Sequence, residues 1–173
     1  MNVKYFNEVK NQVGEWSAAN FGDNDMGEFK YLRPYMGIFE ELDELDSAEN
    51  LCRLFPQSSK SEVLDEIKDA LGDICIYMLD FCYQLGVDVP QYQAEFLQVG
   101  EIHHVLLKRI QRIRNMENTA LFYDKVKQWL VGLMLFISDK AERYGFDLDE
   151  ILTETWAKVS KRDWRKAPTN GGE

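Results

Sequence analysis

Two groups of acids carry most of the chemistry open to this sequence. In MGIFEELDEL (36–45), Glu40, Glu41, Asp43 and Glu44 crowd into five positions. In DEIKDALGD (65–73), Glu66, Asp69 and Asp73 recur at steps of three and four. Like charges at such spacings on a helix repel, each pair costing roughly 0.2–0.5 kcal/mol. Gly37, Glu41, Glu44 and Ala48 form one stripe beside an apolar stripe of Ile38, Leu42 and Leu45, and Glu66, Asp69 and Asp73 form another. An antiparallel pairing of the two helices brings both stripes to the edge of one core, where four or five carboxylates converge. Donor sets made only of oxygen suit hard cations, Mg²⁺ above all when a phosphate chain completes the coordination. A solvated acidic face is the plain alternative. The acids flank the apolar seams rather than opposing them, which favours the metal. A di-iron centre of the bundle type needs two Glu-x-x-His pairs. The chain has one, Glu101 to His104, and its only histidines are His103 and His104, which read as ordinary polar positions.

The elements that must position these acids are helical throughout. A first helix is expected over about Val3 to Ala19, before the turn-prone NFGDND at 20–25. A second is expected from near Pro34, a residue suited to a first turn, to about Phe55. PQSSK (56–60) breaks the pattern and offers a serine cap. The third shows a seam of Ile67, Leu71, Ile74, Met78, Phe81 and Leu85, with Gly86 as its stop. Further helices are expected at about 91–115, 120–144 and 148–163, before a tail of APTNGGE. The fold class is therefore all-α: one domain, 1–173, built as a bundle of about six helices.

The hairpin over about 28–88 has a weaker echo over about 91–147. Residues 65–88 align without a gap on 124–147, with six of 24 positions identical and the seam repeated as Val126, Leu130, Leu133, Ile137 and Tyr144. Residues 36–45 can be laid on 99–108, sharing a glycine and a few apolar positions. Two similar hairpins packed as a pseudo-dimer, with the helix at 148–163 added, follow from a duplication. The second copy has lost the acids: Lys125, Gln128 and Gly132 align with Glu66, Asp69 and Asp73, and His104 and Leu107 with Glu41 and Glu44.

The formal charge of −10 argues against a nucleic-acid partner. With 45% hydrophobic and 13% aromatic residues, a packed core is affordable and disorder is not expected. The three cysteines sit in apolar helical patterns without a CxxC pair, as reduced thiols of a cytoplasmic protein do. No apolar run reaches the length of a membrane span, and no secretory leader is seen.

Together these stretches resemble the MazG-like all-α NTP pyrophosphohydrolases, relatives of the dimeric dUTPases. Glu40-Glu41-Leu42-Asp43-Glu44 matches the EExxE half of that family's signature. Asp73 with the apolar run to LGVD is similar to its second half. The glutamate expected three residues before Asp73 is Ala70, a departure for which Asp69 is the nearest substitute and Glu66 the next. Trp16 to Gly22 resembles a W…NFG segment of one branch, and TWAKVSKRDW (155–164) its RDW ending. The resemblance covers about 10–90 and 150–168.

It implies Mg²⁺, or Mn²⁺ as a substitute, held by Glu41, Glu44, Asp69 and Asp73, with Glu40 or Glu66 orienting the attacking water or a second ion. The expected reaction cleaves a nucleoside triphosphate at the α-phosphorus, giving a monophosphate and pyrophosphate. Lys158, Lys161 and Arg162 are the expected phosphate clamps, and Trp16, Asn20, Phe21 and Trp164 the expected base site. The competing reading is a non-catalytic nucleotide-binding or helical interaction module derived from the same family, supported by Ala70 and the degenerate second half. Association into a homo-oligomer is compatible with either.

Overall fold

A computed structural model describes residues 1–22, 30–54, 60–91 and 119–167. Among these the chain forms five helices and no strand: α1 (Val3–Phe21), α2 (Leu32–Leu54), α3 (Lys60–Leu85), α4 (Thr119–Tyr144) and α5 (Leu148–Val159). The architecture is an all-α helical bundle. The fourth expected helix, at about 91–115, lies from residue 92 on outside the described residues, as do Glu101, His103, His104 and Leu107.

α3 is the axis of the bundle, with α1, α2, α4 and α5 packed around it. Its middle reads as a nearly unbroken apolar run, which buries a helix on every side rather than along one stripe. Ala70, Leu71, Ile74, Cys75, Ile76, Met78, Leu79, Phe81 and Cys82 are all buried. Only Asp73 and Tyr77 interrupt the enclosure between residues 70 and 82, and both belong to the site described below. The helices on either side come close because glycines let them. A Cβ on Gly37 would fall 2.5 Å from the Tyr77 ring, and one on Gly14 2.0 Å from the Tyr83 ring.

α2 and α3 run antiparallel. Advancing along α2 through Arg33, Gly37 and Glu41 meets Asp80, Tyr77 and Asp73 in turn on α3. α4 lies against α2 and α3 through Trp129, which is fully buried against Tyr35 and Phe81. Farther along, Lys140 and the Tyr144 hydroxyl both bond Glu49 of α2.

Two helix ends are built alike. At the end of α3, Gly86 donates to the Tyr83 carbonyl and Val87 to that of Cys82, and Gly86 has φ +65. At the end of α4, Gly145 donates to Glu142 and Phe146 to Ala141, and Gly145 has φ +75. Both ends satisfy their last carbonyls through a glycine in the left-handed region, at aligned positions of the two segments. α5 begins on Asp147, whose carboxylate caps the amides of Asp149 and Glu150. It ends at Val159, four residues short of the expected 163. The chain turns at 160–164 instead, and that turn brings Trp164 back to α1.

Candidate functional site

The antiparallel pairing of α2 and α3 sets Glu41 against Asp73 at the edge of the core, both half-buried. Burial first, then repulsion from Asp73, Glu44, Asp69 and Glu40, pushes the Glu41 carboxyl up to about 8. Asp73 is pushed up to about 6, by burial and then by Asp69 and Glu44, against an opposing pull from Arg162 and Lys158. Four of the expected ligands, Glu41, Glu44, Asp69 and Asp73, thus stand within electrostatic reach of one another. Glu40 and Glu44 are exposed, and Asp69 is exposed with Lys158 3.8 Å away.

Position 70 is filled by a buried alanine, so the side chain that faces the acids on this turn is Asp69. Glu66 borders a hollow with Asp43, Glu44, Ala48, Asp69 and Ala70 on the exposed side of the seam. It is absent from the main charges acting on Glu41 and Asp73. Glu66 thus stands with Glu44 and Asp69 at that hollow, and not among the main charges on the Glu41–Asp73 pair.

The two ends of the resembling sequence come together. Asn20 accepts a bond from the Trp164 amide at 2.8 Å, and the Trp16 indole donates to the Arg162 carbonyl at 3.1 Å. Trp16 meets Phe21 and Trp156 edge to face, and Phe21 leans on Trp164. Between them lies a cavity of about 70 Å³ whose wall includes Trp16, Phe21, Tyr77, Trp164, Arg162 and Asp73. Of the expected substrate residues, Trp16, Phe21, Arg162 and Trp164 line it. Asn20 is spent on holding the 160–164 turn, and Lys158 and Lys161 are exposed and outside the lining.

Three residues of this wall were not singled out from the sequence. Arg33 donates to Ser17 Oγ at 2.6 Å and to Asp80, and its guanidinium lies 4.0 Å over the Phe21 ring. Asp80 is buried and also accepts from Ser17 and Gln84. Burial raises its pKa, with Arg33 as the largest opposing influence. Tyr77 is raised by burial and then by Glu41 and Asp73. An acid in the run ICIYMLDFC was the available signal, since a charge inside an apolar seam needs a buried partner.

The donor set fits a hard divalent ion in kind and charge: carboxylates only, two of them raised by burial first and by their neighbours' charges second. Among the described residues, however, no three His, Cys, Asp or Glu side chains stand as a ready-made metal site. No helix among them is long and apolar enough to cross a membrane. No family model matches the chain, and neither curated proteins nor solved structures include a match to it.

Proposed function

We propose that the protein is a Mg²⁺-dependent nucleoside triphosphate pyrophosphatase, releasing a nucleoside monophosphate and pyrophosphate. The observation that carries this reading is the raised pair Glu41 and Asp73, opposed across the α2–α3 seam with Glu44 and Asp69 beside them. Carboxylates that repel one another at the mouth of an aromatic cavity gain most from a cation that arrives with a polyphosphate. Glu41, Glu44, Asp69 and Asp73 would hold the ion, and Mn²⁺ would serve in its place. Bound there, the ion supplies positive charge to the phosphate chain and to the charge that builds up during cleavage.

The chain's own residues do the rest. Arg162, already acting on Asp73, is placed to bind a phosphate oxygen at the cavity mouth. Trp16, Phe21 and Trp164 line the cavity and are the candidate walls for a base, while the Asn20 bond fixes the turn that carries Arg162 and Trp164. Glu40, exposed next to Glu41, is the candidate for orienting the attacking water.

Incubation with a panel of NTPs and dNTPs tests the reading. Pyrophosphate and monophosphate should appear together with Mg²⁺ and vanish with a chelator. Orthophosphate as the first product would contradict cleavage at the α-phosphorus. The second reading, a binding module without turnover, draws on the buried Ala70 and the absence of a ready-made ligand trio among the described residues. It predicts Mg²⁺-dependent nucleotide binding with no pyrophosphate.

A further inference from the structure

The cavity beside Asp73 reaches along α3 to Asp80, seven residues on. At a rise of 1.5 Å per residue that is about 10 Å, two helical turns, the length along which a nucleotide would lie once the walls of this 70 Å³ cavity part to admit it. With the phosphates at Asp73 and Arg162, the far end of the substrate meets Arg33 and Asp80.

These two charges are not equivalent toward a ligand. The Asp80 side chain is 4% exposed and its oxygens already accept from Ser17, Arg33 and Gln84. The Arg33 side chain is 27% exposed. Its bonds to Ser17 and Asp80 both leave from one terminal nitrogen, Nη2. The Nε and Nη1 donors of the same planar group have no described partner. The ion pair and the Phe21 ring hold that plane in place, so its orientation costs nothing further when a ligand arrives.

We infer that Arg33 is a specificity residue: it donates to the exocyclic group of the base and selects an oxo group there over an amino group. The inference rests on the pyrophosphatase reading for the direction in which the substrate lies. Uracil and thymine present O4 and guanine O6, all acceptors, at the position where cytosine and adenine present amino donors. A guanidinium meets the first group with a hydrogen bond and the second with two donors face to face. Asp80 and Ser17 act through Arg33, as positioning residues.

Two matched pairs of substrates test this: dUTP against dCTP and dGTP against dATP, each with Mg²⁺ and the full chain. The native protein should favour the oxo member of each pair by about tenfold or more in kcat/KM, the size expected from one satisfied against one unsatisfied hydrogen bond. Arg33→Gln alone would leave the buried Asp80 charge without its cation, so the informative variant combines Arg33→Gln with Asp80→Asn, its helicity checked by circular dichroism. Glutamine both donates and accepts, and the ratio within each pair should fall to about two or less. Quenching of tryptophan fluorescence by dUMP and dCMP gives the same comparison without turnover, since Trp16 and Trp164 line the cavity.

Equal use of both members, or preference for the amino member, by the native protein would overturn the inference while leaving the pyrophosphatase reading intact. An equal loss of all four substrates in the double variant would assign Arg33 to the phosphates and overturn it too. Selective binding of dUMP over dCMP without any pyrophosphate release would leave the inference standing and end the pyrophosphatase reading.

Discussion

Asp80 and Asp139 occupy aligned positions of residues 65–88 and 124–147, and their surroundings could hardly differ more. Asp80 on α3 is buried and holds Arg33 and Ser17 from two neighbouring helices. Asp139 on α4 is half exposed and pairs with Arg143 one turn along its own helix, 2.9 Å away. The contrast extends along both segments. Where α3 has Asp69 and Asp73, α4 has Gln128 and Gly132, and Gln128 accepts a bond from Lys125 of the same helix. Apolar spacing and helix-ending glycines are shared, because they maintain the core and the turn. The polar residues diverge with position: those of the central helix face neighbours that give them charged partners. On α4, Asp139 and Gln128 bond within their own helix, and the residues that reach a neighbour, Lys140 and Tyr144, lie farther along, at Glu49 of α2.

The largest effect that would break this contrast is on catalysis. Asp73→Asn should lower pyrophosphate release by about a hundredfold or more, the range seen when a preorganised electrostatic group is removed. Gln128→Ala, the α4 counterpart of Asp69, should change it less than twofold. Comparable losses at both positions would make the second segment part of the chemistry. Asp69→Asn should cost nearly as much as Asp73→Asn, since the buried Ala70 leaves Asp69 as the acid on that turn. Full activity in Asp69→Asn would pass its role to Glu66 or remove α3's first acid from the site.

How much of this was legible follows from which forces act locally. The four-and-three spacing of Ile67, Leu71, Ile74 and Met78 announced α3, and Gly86 marked its end, since a helix seam and a left-handed cap are both written in nearby residues. The stripes of Glu41, Glu44, Asp69 and Asp73 could be placed on facing helices for the same reason. Arg33 could not be read, because its partner lies 47 positions away and its value comes from a neighbour's burial. The end of α5 was also misplaced. SKRDW continues a helical pattern, and the early turn is accompanied by long-range bonds, from Trp164 to Asn20 and from Trp16 to Arg162.

A smaller effect concerns the approach of α2 to α3. Gly37→Ala would put a methyl group 2.5 Å from the Tyr77 ring. The displaced ring should cost about 1–3 kcal/mol of stability and raise KM, because Tyr77 lines the cavity. Unchanged thermal stability would mean that the two helices can part without loss, and that their close contact does not hold the acids in place.

The smallest effect is on pH. In the unfolded chain Glu41 ionises near 4.5, and in the folded metal-free protein only near 8. Between those values the folded state keeps a proton that the unfolded state has lost, so stability falls as pH rises through the window. The loss should be on the order of 1 kcal/mol once solvent screening of this half-buried group is allowed for. Glu41→Gln should flatten the profile and leave the metal-free protein more stable at pH 8 than the native chain. A profile that rises from pH 5 to 8 in the native protein, unaltered by the substitution, would show that the acids are simply solvated.

The most direct measurement is the number of nucleotide sites per chain. Calorimetric titration of the native protein with a nonhydrolysable dNTP analogue and Mg²⁺ should give one site per chain, absent without the metal and lost in Asp73→Asn. Two equivalent sites per chain, or binding unaffected by Asp73→Asn, would contradict a single metal-dependent centre on the α2–α3 seam.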